Sequence, residues 1–134
     1  MQLSEEDKRW VAKWLRKAEG DLRVAERLAE SPEFYEQAAF HCQQAAEKYA
    51  KGYLRAFNQD APKTHDIERL LDLLQNQAVF FSDDERELAS LLTPFATLSR
   101  YPLDTDIEPP MADLLAAARH FRDRLCPAIE AALR

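Results

Sequence analysis

The residues best suited to chemistry in this 134-residue chain sit in one stretch, FHCQQAAEKYAKGYLRAF, from Phe40 to Phe57. At helical spacing His41, Gln44, Lys48, Lys51 and Arg55 form a polar row, and Glu47 lies within reach of Gln43, Gln44 and Lys51. Because Glu47 and Gln44 interrupt an alanine-rich helix, they are expected to be partly buried, and a buried carboxylate needs a partner. Arg100, in the proline-stiffened run Arg100-Tyr101-Pro102, is the partner expected. Its guanidinium would bind Glu47 and Gln44 and leave one edge free, which with Lys48 and Lys51 makes a small basic pocket for a phosphate. His65 is a further candidate for acid–base work. The plainer alternatives are a solvated helix face for Lys51 and Arg55, and for His65 a helix-start residue bonded to its own loop.

Five helices are expected to position these groups. Ser4 can cap a first helix, with Glu5, Glu6 and Asp7 at its positive end and an apolar stripe from Val11 through Trp14, Leu15, Ala18, Leu22 and Ala25. It is expected to end near Glu30. Ser31-Pro32 then opens a second helix running to about Asn58, and the short link makes the two an antiparallel hairpin. Ala38, Cys42, Ala45, Tyr49, Gly52 and Ala56 give the second helix a small-residue face that neighbours can approach closely, so it belongs at the centre of the bundle.

Beyond the polar loop from Asn58 to Lys63, Thr64 can cap a short helix bearing Ile67, Leu70, Leu71 and Leu74. Ser82-Asp83-Asp84-Glu85 is a capping-box signature for a fourth helix, which Pro94 should kink or end one residue earlier. An irregular proline-rich connection, TLSRYPLDTDIEPP, leads to a last helix from Met111 to Leu125, with a bend expected at Pro127. Only two glycines in the chain argue against a strand-rich fold, so the fold class is all-α, in a single domain over residues 1–134.

Composition narrows the function. Eighteen Lys and Arg against 24 Asp and Glu leave a net charge of −6, so any contact with nucleic acid or phosphate must come from a local patch. Cys42 and Cys126 belong to no CxxC and fall among apolar helix positions, as reduced packing residues of a cytoplasmic protein do. The charged start MQLSEEDKRW carries no leader-like apolar region, and no apolar run is long enough for a membrane span. His41, His65 and His120 make no HxxxH or HxxE pattern, so neither a metal nor a cofactor is expected. Glycine-rich phosphate loops are absent, and any nucleotide must be held by side chains.

Taken together, Trp14, Ala18, Asp21-Leu22 and Ala25, the run FHCQQAAEKYAKGYL, the element PKTHDI from Pro62, and Arg100-Tyr101-Pro102 resemble the HEPN domains (higher eukaryotes and prokaryotes nucleotide-binding) over nearly the whole chain. The resemblance implies an up-and-down bundle of four to five helices, commonly a homodimer. It also implies pairing with a minimal nucleotidyltransferase, often as toxin and antitoxin. Some members of that family are metal-independent ribonucleases, whose signature is an arginine followed after four to six residues by a histidine. This chain departs from it: after Arg100 those positions hold Thr105, Asp106 and Ile107. RNA cleavage without metal needs a group to take the 2′-hydroxyl proton and another to stabilise the charged phosphate, and Arg100 can do only the second.

The reading favoured is therefore a partner protein that binds a nucleotide or RNA phosphate through Gln44, Glu47, Lys48, Lys51, Arg100 and Tyr101. Its rivals are a ribonuclease toxin using Arg100 with His65 and a purely structural dimerisation module.

Overall fold

Ser4 starts the first helix as expected: its hydroxyl accepts a hydrogen bond from the Asp7 backbone N–H at 3.1 Å, and α1 runs over Glu5–Leu28. In this computed structural model, which describes residues 3–97 and 108–134, five helices follow one another and no strand occurs among the described residues. A 3₁₀ turn at Pro32–Phe34 leads into α2, Tyr35–Ala56. The others are α3 over Ile67–Gln75, α4 over Asp83–Leu92 and α5 over Met111–Leu133. The fold is an all-α helical bundle, as the sequence predicts.

Pairs along α1 and α2 fix their directions. Arg55 meets Asp7, Lys51 faces Trp14 and Lys48 meets Asp21, so the two helices are antiparallel. Helix α5 also runs against α1, because Arg119 pairs with Glu26 while Cys126, further along α5, lies beside Glu19, earlier on α1. Two short helices, α3 and α4, join the end of α2 to the start of α5.

Helix α2 is the centre of the core, as its small-residue face requires. Ala39, Cys42, Ala45, Ala46, Tyr49 and Ala50 are buried in one core with Val11, Ala18 and Ala25 of α1 and Ala117, Phe121 and Leu125 of α5, and Ala38 is buried as well. Helices α1 and α2 come close at Gly52, where an added Cβ would stand 3.0 Å from the Cβ of Trp14.

Helix ends differ in detail from the sequence expectation. Helix α2 stops at Ala56, two residues early, in a Schellman motif. Asn58 takes a left-handed φ of 61°, its N–H donates to the Arg55 carbonyl, and the Gln59 N–H donates to the Leu54 carbonyl. Asp66, not Thr64, caps α3; the Thr64 hydroxyl instead accepts from the Asp66 N–H inside the preceding turn. The capping box at Ser82 and Glu85 is present, and Pro94 ends α4 at Leu92 by starting a 3₁₀ turn over Thr93–Phe95. Pro127 lies within α5, which continues to Leu133.

Candidate functional site

Glu47 is the pivot of the site. It is 3 % exposed on α2, and its carboxylate oxygens divide between three partners. Oε1 accepts from the Gln43 amide at 3.1 Å and lies 2.9 Å from Nδ1 of His65, while Oε2 pairs with the Lys51 ammonium at 3.1 Å. The Gln43 amide also donates to the His65 carbonyl at 3.0 Å, and Gln44 donates to the Gln43 side-chain oxygen at 2.7 Å. This arrangement follows from the helix period. Positions 43, 47 and 51 are four apart and lie on one face, which turns toward the loop before α3.

The loop holds its end of the contact through local bonds. The Schellman turn at Asn58 redirects the chain, the Thr64 N–H donates to the Pro62 carbonyl, and Thr64 and Asp66 brace the next residues. His65 is thereby held to α2 at two points, its carbonyl by Gln43 and its ring by Glu47. Its side chain remains 62 % exposed, and Nε2 has no partner among the described residues. With Nδ1–H donated to the carboxylate, a neutral ring offers the Nε2 lone pair to solvent.

Lys51 is 7 % exposed, which sets aside the alternative of a solvated helix face for this residue. Its ammonium lies between Glu47 and the ring of Trp14, 5.7 Å from the ring centre. It also lines a cavity of about 440 Å³ bounded by Trp10, Trp14, Arg55 and the loop Asp60 to Lys63. Arg55 crosses this cavity, donating to Asp7 from Nε at 3.2 Å and Nη2 at 2.8 Å and to Asp60 from Nη1 at 3.2 Å. The hydrogen bond from Arg55, helped by Ser4, holds the Asp7 carboxyl below the usual carboxylate range. Lys63 is exposed and has no ion-pair partner among the described residues.

Trp10 is 43 % exposed, with Lys13 4.9 Å and Arg55 5.9 Å from its ring centre. It also lines a second cavity, of about 420 Å³, with Arg9, Lys13 and Arg16 and with Glu6 and Ala12. Six cations thus surround the two cavities against the carboxylates of Glu6 and Asp60, on a chain of net charge −6. A local basic patch, with an aromatic surface at its middle, is present after all.

Not every candidate joins this site. Lys48 does not converge with Lys51: it pairs with Asp21, whose other oxygen lies 2.8 Å from Nδ1 of His41. Gln44 reaches Glu47 only through Gln43, which is wholly buried and makes the direct contact. Arg100 and Tyr101, and with them the expected Arg100–Glu47 pair, lie outside the described residues. Sequence reasoning missed Trp10, Arg55 and Lys63 as lining groups. The signal available was Trp10 and Trp14 spaced four apart amid Arg9, Lys13 and Arg16. Cys42 is the buried packing residue expected, and burial pushes its thiol up to about 12.

The HEPN domain family model matches residues 11–127. Among solved structures, ST0689, an archaeal HEPN homologue, is 30 % identical with a TM-score of 0.67, the match covering 89 % of this chain and 97 % of that one. TT1696 from Thermus thermophilus is 32 % identical with a TM-score of 0.59, covering 92 % of this chain and 94 % of that one. No curated protein matches the chain. A family match that takes in the Glu47–His65 corner and reaches from within α1 to within α5, together with a homologue sharing the same course of chain, leads to one conclusion: the chain belongs to the HEPN domain family.

Proposed function

We propose that this chain is a binding module for a nucleotide or an RNA phosphate, and that it works as the partner of a separate nucleotidyltransferase, as toxin and antitoxin. The observation that carries the binding part is the cavity above Lys51, where a nearly buried ammonium, the Arg55 guanidinium and Lys63 meet two indole rings. Its volume falls in the range of small-molecule sites. Trp10 supplies a face on which a base can stack, and Arg55 and Lys63 can hold the attached phosphate. Glu47, Asp7 and Asp60 neutralise part of this charge. Binding is therefore expected to depend on a few contacts and to weaken with salt, with a log–log slope of about −2 for three phosphate contacts on a single strand.

Trp10 and Trp14 are the two tryptophans of the chain and both line the cavity, so indole fluorescence reports on it directly. Titration with AMP, ATP or a short single-stranded RNA at low salt should quench that fluorescence, and Arg55→Ala with Lys63→Ala should weaken the effect at least tenfold. No quenching by any of the three up to millimolar concentration would refute the reading. Co-purification with a nucleotidyltransferase encoded beside it tests the partnership.

The second reading, a metal-independent ribonuclease, is favoured by one specific observation: Glu47 orients the exposed imidazole of His65 as a carboxylate orients a general base. Cleavage of RNA that persists in chelator and disappears in His65→Ala would select it over simple binding.

A further inference from the structure

The solvent side of α1 carries one sign of charge. From Arg9 to Arg27 its exposed residues are six cations, Arg9, Lys13, Arg16, Lys17, Arg23 and Arg27, with Trp10, Gly20 and Val24. No carboxylate is among them. All but Lys17 of the cations, together with Gly20, follow steps of three and four residues, so they stand in one row along the helix with Lys17 beside it. The row is about 27 Å long at a rise of about 1.5 Å per residue. None of the six has an ion-pair partner among the described residues, and Lys13 lies over the Trp10 ring. The carboxylates of this span, Glu19, Asp21 and Glu26, are half-buried to either side. Asp21 is held by His41 and Lys48 and Glu26 by Arg119, which leaves Glu19 to offset one cation beside Arg23. A face that served solubility alone would mix both signs, and on a chain with 24 acidic and 18 basic side chains it would favour acids.

We propose that this face of α1 is a track for the backbone of single-stranded RNA, leading into the cavities at Trp10. The inference rests on the nucleotide or RNA reading above and names its ligand: a strand of several nucleotides rather than a mononucleotide. Charge and shape select this occupant. The row ends at Trp10, whose exposed ring lines both cavities, so a strand held along the row meets a stacking surface for a base where the phosphate contacts begin. A duplex is a stiff cylinder whose backbones wind away from a straight row, whereas a flexible strand can lay successive phosphates against it. An anionic membrane surface would need an apolar face to insert, and Val11, Ala18, Leu22 and Ala25, which form that face of α1, are buried in the core. A protein interface is built round an apolar, charge-poor centre, and here the centre is charged while Trp10 and Val24 stand near opposite ends of the row.

The test uses the intact chain and an end-labelled RNA strand of about 12 nucleotides, followed by fluorescence anisotropy at several salt concentrations. The strand should bind at least tenfold more tightly than AMP. Lys17→Gln, Arg23→Gln and Arg27→Gln combined lie outside both cavities at Trp10. This variant should weaken the strand at least tenfold and flatten its log–log salt slope by about 2, for three contacts at about 0.7 each. It should keep the helical circular-dichroism spectrum and the quenching of indole fluorescence by AMP. The charge-conserving combination Lys17→Arg, Arg23→Lys and Arg27→Lys should bind the strand as the wild type does. The proposal is overturned by a strand that binds no more tightly than AMP, by an unchanged slope in the glutamine variant, or by a duplex or polyglutamate that binds as tightly as the strand. AMP quenching alongside any of these results removes the track and leaves the cavity reading in place, whereas a strand bound with the expected slope but with no quenching removes the cavity reading alone.

Discussion

Replacing Glu47 by alanine strips the site of its pivot and leaves three partners behind. Lys51 keeps its ammonium at 7 % exposure with no carboxylate beside it, the His65 ring loses its anchor, and the Gln43 amide nitrogen retains only the His65 carbonyl as acceptor. Removing one member of a buried ion pair costs about 3–5 kcal/mol, because the other charge is left uncompensated. Two features place this case at the low end. Lys51 lines an open cavity, so its ammonium can turn toward water, and the Trp14 ring still faces it.

The expected loss is thus about 3 kcal/mol. In a domain of this size that lowers the melting temperature by roughly 10 °C. The double change Glu47→Ala with Lys51→Met removes the orphan charge along with its partner, and it should cost less than the single change, about 1–2 kcal/mol. Urea denaturation of wild type, both single variants and the double variant closes the cycle. A Glu47→Ala variant within about 0.5 kcal/mol of wild type, or a double variant as unstable as the sum of the singles, would show that the pair is not the buried, coupled unit described here.

The two glycines should respond in opposite directions. Gly52→Ala forces a methyl to 3.0 Å from the Trp14 Cβ, which is attached to backbone and cannot swing away, so a loss of about 1–3 kcal/mol is expected despite the better helix former. Gly20 has nothing within 4 Å of an added Cβ, and Gly20→Ala within α1 should stabilise by about 0.5–1 kcal/mol; thermal melts of the pair decide both. Glu85 sets an acid limit. Burial pushes its carboxyl up, but hydrogen bonds from His120 and the Ser82 N–H and the charge of Arg124 outweigh this and hold it below its ordinary 4.5. A carboxyl lowered on folding contributes stability that is complete above the unfolded value and lost as the pH falls through the folded one. Melting temperature measured from pH 6 down to pH 3 should therefore fall below about pH 4.5, less steeply in Glu85→Gln than in wild type.

Much of this molecule is legible from local pattern alone. The Ser4 cap, the Ser82–Glu85 capping box, the stop at Pro94 and the apolar periods of all five helices depend on residues within a few positions of one another, where propensity and geometry act directly. The central place of α2 was legible too, since a run of alanines around Gly52 only makes sense where other helices come close. The same logic found Glu47 and anticipated its burial. It left Lys51 open between a pocket and a solvated face, because nothing in a row of spaced cations tells a solvated lysine from one drawn inward by a buried carboxylate four residues away.

Tertiary structure alone decided which partner each charge took. Glu47 has His65 and Lys51, with Gln43 making the direct amide contact that Gln44 was expected to make, and Lys48 turns instead to Asp21 and His41. Those choices depend on the relative rotation and height of α1, α2 and the loop before α3, which short-range periodicity does not carry. The basic patch on an acidic chain has the same origin: Trp10 and Lys63 are distant in sequence and meet only because α1 runs antiparallel to α2 and the Schellman turn at Asn58 folds the loop back over Arg55. Helices can be read from neighbours in sequence, whereas a candidate site is made by neighbours in space, and in this bundle the groups suited to chemistry are joined across helices.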